Sequence, residues 1–326
     1  LLPEVIEKTD VIVIGAGLSG LAAAAAAGRA GRGVLVLEKE PRVGGLCASI
    51  RRDGFVFDLG GHRFVPERRQ TGDHVGAFFC ESDLSVHARR SRIFLKGRSF
   101  FYPPRTLDLL RHLGVRTALS CAWQGLRACW DQRMTPQPED SLLDWFVHRF
   151  GRRLTQDYFG PYVRKLWGAP LSQISEDGAP PHLRGTNMAV LLWDFLHLGV
   201  SRRKDSVPAD QFMYPVGGIG RIAEEMAGEI TQKGGKVFLG HAAERILCQS
   251  DGGFYVECRG PEGARGVFGA RKLVVTAPLP DLIHMLHPQP PHDVLAAAAS
   301  LRFRSMRFFN VMMDGEAVLP VIGLTV

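Results

Sequence analysis

The hydrophobic pattern changes period twice between Asp10 and Glu38. Val11-Ile12-Val13-Ile14 is an unbroken β-branched run, the pattern of a short strand buried on both faces. Leu21 to Ala30 is Ala-rich and predicts a helix, which Gly31 to Gly33 end. Val34-Leu35-Val36-Leu37 is a second buried strand, closed by Glu38. Further on, Asp140 to Phe150 predicts a helix capped by Asp140 or Ser141 and ended by Gly151, with Leu142, Leu143, Trp145, Phe146 and Phe150 on its apolar face. A second helix is expected over Arg221 to Gln232, followed by a strand at Lys236 to Leu239. Ser91 to Ser99 predicts a basic strand. Phe254 to Cys258 and Lys272 to Thr276 are strands by β-branched content, and Ala277-Pro278 ends the latter.

The turn inside the first strand–helix–strand unit carries the chemistry. It reads Gly15-Ala16-Gly17-Leu18-Ser19-Gly20 and runs straight from strand into helix. Gly15 permits the tight turn, Gly17 lets a pyrophosphate approach the backbone, and Gly20 lets the helix pack close to the sheet. The amides of Leu18 and Ser19 open the helix, where N–H groups and the helix dipole attract phosphate. Glu38 stands 23 positions after Gly15, placed to accept hydrogen bonds from a ribose. A glycine-rich turn with no ligand would need neither that acid nor that spacing. The unit therefore predicts an adenine dinucleotide.

Composition narrows the class. The chain has 326 residues, 45% hydrophobic and 22% charged, which excludes a disordered, collagen-like or coiled-coil chain and suggests two domains. Its net charge of +7 favours an anionic small-molecule substrate. Nucleic acid is not expected, because no basic run exceeds three residues. Peripheral membrane contact is compatible with the charge, but no sequence feature supports it. The six cysteines show no CxxC spacing and read as free thiols in a reducing cytoplasm. The longest apolar stretch, Leu191–Val200, is broken by Asp194 and His197. His112, His148 and His197 lack paired spacing, so no metal is expected. Cys80 and Glu81 suggest only packing, and no GxSxG or HExxH supports a hydrolase or zinc protease. Oligomeric state is not legible.

Two more glycine pairs follow the second strand, in Glu38-Lys39-Glu40-Pro41-Arg42-Val43-Gly44-Gly45 and Asp58-Leu59-Gly60-Gly61-His62. They mark close backbone approach to something bulky. On these residues the chain resembles the FAD-dependent amine oxidase superfamily, which includes protoporphyrinogen oxidases and phytoene desaturases. Gly60-Gly61-His62 is also similar to UDP-galactopyranose mutases. Later segments, Val163 to Gly168 and Tyr214-Pro215-Val216-Gly217-Gly218, continue the resemblance. Leu46 departs from it, where many amine oxidases carry Arg, and so does Gly178, where relatives carry Trp.

The resemblance implies FAD as cofactor, met by Gly15, Gly17, Leu18, Ser19, Gly20, Glu38, Lys39, Arg42, Gly44, Gly45, Gly60, Gly61 and, through its backbone, Ala243. It implies an α/β fold, a doubly wound Rossmann-like FAD domain (1–90 and 211–290) interleaved with a helical-plus-sheet substrate domain (91–210, with a second segment at 291–326). Members of the superfamily usually continue far beyond Pro280, so a C-terminally truncated relative with weakly held flavin is expected. His62 is the side-chain candidate for catalysis: it either hydrogen-bonds flavin or substrate, or only packs in its loop. Arg63 reads as a surface charge. Arg89, Arg90 and Arg92 either meet an anionic substrate or form a solvated strand face, and Arg202-Arg203-Lys204 reads as a solvated linker. Gly217-Gly218-Ile219-Gly220 follows Tyr-Pro and not a buried strand, so no separate nicotinamide domain is expected. The function implied is an FAD-dependent oxidoreductase. The alternatives are a flavin-dependent UDP-sugar mutase and an inactive flavoprotein-like fragment.

Overall fold

A computed structural model describes residues 5–62, 83–88, 91–95, 98–102, 114–180, 183–196, 211–312 and 324–325. The chain divides into two compact units, Leu1–Ala88 with Val207–Asp314, and Arg89–Ser206 with Gly315–Val326. Arg63, Cys80, Glu81, Arg89, Arg90, His112, His197 and the run 202–204 lie outside the described residues.

The first unit is built on a seven-stranded sheet. Strands β1 (Val5–Ile14) and β2 (Val34–Leu37) flank helix α1 (Leu18–Arg29). The remaining strands are β9 (Lys236–Phe238), β10 (Ala242–Cys248), β11 (Phe254–Arg259), β12 (Arg265–Val275) and β13 (Leu286–His287), in the order β13-β10-β11-β12-β1-β2-β9. β12, β1, β2 and β9 run parallel, and β11 is antiparallel to both its neighbours. Successive strand residues face opposite sides. Val11, Val13, Val34 and Val36 pack with Leu21, Ala24 and Ala25 of α1 and with Ala223 and Ile230 of helix α6 (Arg221–Gln232). Ile12, Ile14, Leu35 and Leu37 pack with Ile246, Val256 and Phe268. Both sheet faces are therefore covered, which is why these strands read as unbroken apolar runs. Arg29 forks onto Glu229 at 2.7 and 2.9 Å, tying α1 to α6, and holds that carboxyl below its usual range.

Two small sheets complete this unit. β3 (Ser49–Arg52) pairs with β4 (Phe55–Asp58) across Asp53-Gly54, whose φ values are +50° and +80°. β5 (Leu84–Ala88) pairs with β8 (Gln211–Pro215).

The second unit holds the hairpin β6 (Ser91–Leu95) and β7 (Arg98–Tyr102), with β14 (Leu324–Thr325) beside β6. The single strand expected over Ser91 to Ser99 is thus two. Helix α2 (Val115–Met134) packs on α3 (Leu142–Phe150) and on α5 (Met188–Leu196); α4 (Gly160–Trp167) follows a π turn at Thr155–Phe159. The Ser141 hydroxyl accepts from the Asp144 amide to cap α3, and Gly151 ends it at φ +80°. The rings of Phe146, Phe150 and Phe159 form its core, with centroids 4.5–6.0 Å apart.

Residues 291–314, expected with the substrate domain, group with the first unit. Helix α8 (His292–Ser300) packs on α7 (Leu279–Met285), and α7 packs on β10, so this stretch is anchored to the large sheet. Among the described residues no helix is long and apolar enough to cross a membrane.

Candidate cofactor-binding site

The turn after β1 is held from three sides. Gly15 has φ +103°, and its N–H donates to the Leu37 carbonyl at 2.8 Å. A Cβ there would lie 2.5 Å from the Thr276 hydroxyl, which itself donates to the Ile14 carbonyl at 3.0 Å. A Cβ at Gly20 would land on the Gly15 carbonyl oxygen, so only glycine lets α1 start this close to the turn. Thr276 was read only as the last residue of a strand. Its hydroxyl closes the turn from the β12 side, and nothing in the local sequence signals that long-range contact.

Gly17 is the N-cap of α1, with φ −70° and no capping side chain. A Cβ at Gly17 would meet nothing within 4 Å. The first-turn amides at Leu18 and Ser19 have no partner within the helix. The turn thus offers amide donors, the positive end of a helix and open space, the three things a diphosphate requires.

The second glycine pair lies on the first. Gly44 N–H donates to the Ala16 carbonyl at 2.8 Å, and Gly44 bridges Gly17 in parallel. Gly44 has φ +110°, and a Cβ on Gly45 would come 3.3 Å from the Gly17 Cα. A side chain at 45 would therefore crowd the turn, and one at 44 would strike the backbone at Ala48, 2.9 Å away.

Glu38 is 7% exposed at the end of β2. One carboxylate oxygen accepts from Ala16 N–H at 2.6 Å and the other from Glu40 N–H at 2.9 Å. Each oxygen keeps a further lone pair for a hydroxyl donor. The residue expected to meet a ribose thus also knits the glycine turn to β2. Its carbonyl accepts from His241 N–H at 2.8 Å. Ala243, at the start of β10, lies two residues on, within ~7 Å of chain length. Lys39 and Arg42 are exposed.

Ser49 and Asp58 face each other across the β3–β4 hairpin and grip the start of α6. The Ser49 hydroxyl donates to Asp58 at 2.5 Å and accepts from Gly220 N–H at 2.8 Å, and Ile219 N–H donates to Asp58 at 3.2 Å. Ser49 was missed by the sequence reading. The signal was there: Asp53-Gly54 is a two-residue hairpin turn, which places Ser49 opposite Asp58. This hairpin carries Gly60 and Gly61, and a Cβ at Gly61 would meet nothing within 4 Å.

His62 folds back on the same loop. Its Nε2 lies 2.9 Å from the Leu46 carbonyl and its Nδ1 3.9 Å from the Cys47 sulfur. Both ring nitrogens face the Gly45–Cys47 turn. Burial, with the Asp58 charge second, pushes the Cys47 thiol up, so it is no ready nucleophile.

A cleft of about 600 Å³ lies between residues 41–51 and α6, with Arg42, Val43, Arg51, Glu224 and Thr231 in its walls. None of the Gly15–Gly20 turn lines it. The amides of the turn and the Glu38 carboxylate lie apart from this cleft. The residues present fit the adenosine and diphosphate half of FAD: an open glycine, a bare helix end and a buried carboxylate with lone pairs to spare.

A family described as flavin containing amine oxidoreductase matches residues 18–320. All-trans-retinol 13,14-reductase of Macaca fascicularis is 26% identical over 281 residues, covering 76% of this chain and 43% of the relative. UDP-galactopyranose mutase of Mycoplasma pneumoniae is 29% identical over 177 residues, covering 51% of this chain and 42% of the relative. The chain thus spans less than half the length of these curated relatives. A crystal structure of reduced UDP-galactopyranose mutase matches with TM-score 0.70 at 22% identity, over 90% of this chain and 62% of that one. At that identity the likeness shows the fold.

Proposed function

The chain belongs to the flavin containing amine oxidoreductase family, and from that premise we propose that it serves an FAD-dependent oxidoreductase that removes a hydride from a small organic substrate. The cofactor is FAD. Bound at the turn after β1, it supplies two-electron redox chemistry. The observation that carries the reading is the open Gly17 cradle beside the buried Glu38 carboxylate. In this reading the Leu18 and Ser19 amides hold the diphosphate and Glu38 accepts the ribose hydroxyls. Gly45 keeps the turn clear, Gly44 makes the left-handed bend that lays its segment on the turn, and Lys39 and Arg42 add positive charge at its rim. The backbone at Ala243 borders the adenine, and Gly60 and Gly61 admit the flavin ring. The net charge of +7 supports an anionic substrate. Cys47, Cys121, Cys129, Cys248 and Cys258 are free thiols, which supports a reducing, cytoplasmic setting.

A second reading is a flavin-dependent sugar-nucleotide mutase, favoured by Gly60-Gly61-His62. The test begins with the absorption spectrum of the purified chain. A flavin spectrum, bleached by substrate and restored by an electron acceptor, supports the oxidoreductase. Turnover only after chemical reduction, without net oxidation, supports the mutase. A colourless protein that does not take up added FAD refutes both.

A further inference from the structure

Helix α2 presents two faces of opposite character. One is buried: Cys121 is 4% exposed, a Cβ at Gly125 would strike the Met188 side chain of α5, and the Cys129 thiol donates to the Arg149 carbonyl at 3.2 Å. The other carries Val115, Leu119, Trp123, Leu126, Trp130 and Met134, which recur every three or four residues and so share one side. Leu119, Trp123 and Trp130 are 65%, 69% and 63% exposed. At roughly 250 Å² per tryptophan, those two indoles alone leave about 300 Å² of mostly apolar surface in water. The stripe thus reaches the size at which an apolar patch marks an interaction surface.

The charges beside it identify the partner. At 100° per residue, Arg133 falls on one border of the stripe and Arg116 and Arg127 on the other, and all three are exposed. Asp131 is the one acidic residue of the helix, set beyond Arg127 and paired with it at 3.6 Å. A second copy docked by a two-fold axis would bring arginine borders onto each other, which costs energy. An anionic lipid surface instead meets apolar side chains with its acyl boundary and arginines with its headgroups. Tryptophan is also the side chain suited to that interface, with an apolar body and a polar N–H. The helix is 20 residues long, about 30 Å, and is packed along its other face, so it would lie in the membrane plane and not cross it. We propose that the exposed face of α2 is a peripheral docking surface for an anionic phospholipid bilayer.

The test is flotation of the full 326-residue chain with phosphatidylcholine vesicles and with phosphatidylcholine–phosphatidylserine vesicles. The chain should float with the anionic vesicles, shift its tryptophan emission to the blue, and release in high salt. Trp123→Ser with Trp130→Ser should lower partitioning at least about tenfold, with circular dichroism unchanged. Arg116→Gln with Arg133→Gln leaves the apolar stripe intact and should lower it roughly thirtyfold at low salt, about fivefold per arginine. Three results would overturn the proposal: no flotation with anionic vesicles, equal flotation of the tryptophan variant, or a dimer in light scattering that the tryptophan variant converts to monomer. Failure of vesicle binding in a chain that still takes up FAD would leave the flavin reading standing.

Discussion

Gly17→Val separates binding from folding at a single Cβ. At φ −70° and ψ 170°, Gly17 already has a backbone that any residue adopts, and a Cβ there meets no protein atom within 4 Å. The fold loses a favourable glycine N-cap and gains from a less flexible unfolded chain, so the net change is within about 1 kcal/mol. The ligand loses much more. The added isopropyl group occupies the space through which a diphosphate must pass to reach the amides at Leu18 and Ser19. Hydrogen bonds to a charged group are each worth about 1.5–3 kcal/mol, so losing two weakens affinity by roughly a hundredfold to ten-thousandfold. Gly15→Val is the contrast. There φ is +103° and the Cβ would sit 2.5 Å from the Thr276 hydroxyl, so the fold itself should lose at least about 2 kcal/mol. The assay is calorimetric titration of flavin-free protein with FAD, beside urea unfolding of both variants. The reasoning fails if Gly17→Val binds FAD within about threefold of wild type, because the diphosphate would then lie elsewhere.

Three further outcomes follow from the same geometry. Glu38→Ala should weaken FAD affinity by about 1.5–3 kcal/mol and also lower stability, because Ala16 and Glu40 lose their buried acceptor; Glu38→Gln, which keeps one acceptor oxygen, should fall between in both calorimetry and urea midpoints. Asp58→Ala should cost about 2 kcal/mol of stability by orphaning the Ile219 amide and loosening Ser49, and an unchanged urea midpoint would deny that the hairpin anchors α6. Burial pushes the Cys258 thiol from its ordinary 9.0 to about 12, with Glu244 adding to the effect. The unfolded chain then gives up that proton near pH 9 while the fold keeps it, so stability is unaffected below that pH and falls as pH rises toward 12. Cys258→Ala should flatten that alkaline fall in urea midpoints, and parallel curves for the two proteins would contradict the assignment.

Much of the nucleotide-binding half was legible because its constraints are local. Four apolar residues in a row need cover on both sides, and the sheet supplies it with helices facing Val11 and Val13 and with Ile246, Val256 and Phe268 facing Ile12 and Ile14. The glycines at 15 and 20 were legible for the same reason: Gly15 turns at φ +103°, and Gly20 must clear the Gly15 carbonyl. The extent of β1 was not, because Val5 to Asp10 alternates weakly and becomes strand only by pairing with β12.

What the sequence by itself determined is the strand–turn–helix–strand unit, its acid at Glu38 and the family to which these belong. Tertiary structure alone decided how those parts are held. It set Thr276 against Gly15, laid Gly44 across Gly17, gave the Glu38 carboxylate to two backbone amides, and turned His62 onto Leu46 and Cys47. It also separated the two faces of α2, since a helix with apolar residues around most of its circumference does not say which side is packed. The physical reason is common to all of these. Periodicity and glycine placement report the conformational needs of neighbouring residues, whereas a hydrogen bond from Ile219 to Asp58 spans 161 positions and exists only once the chain has folded.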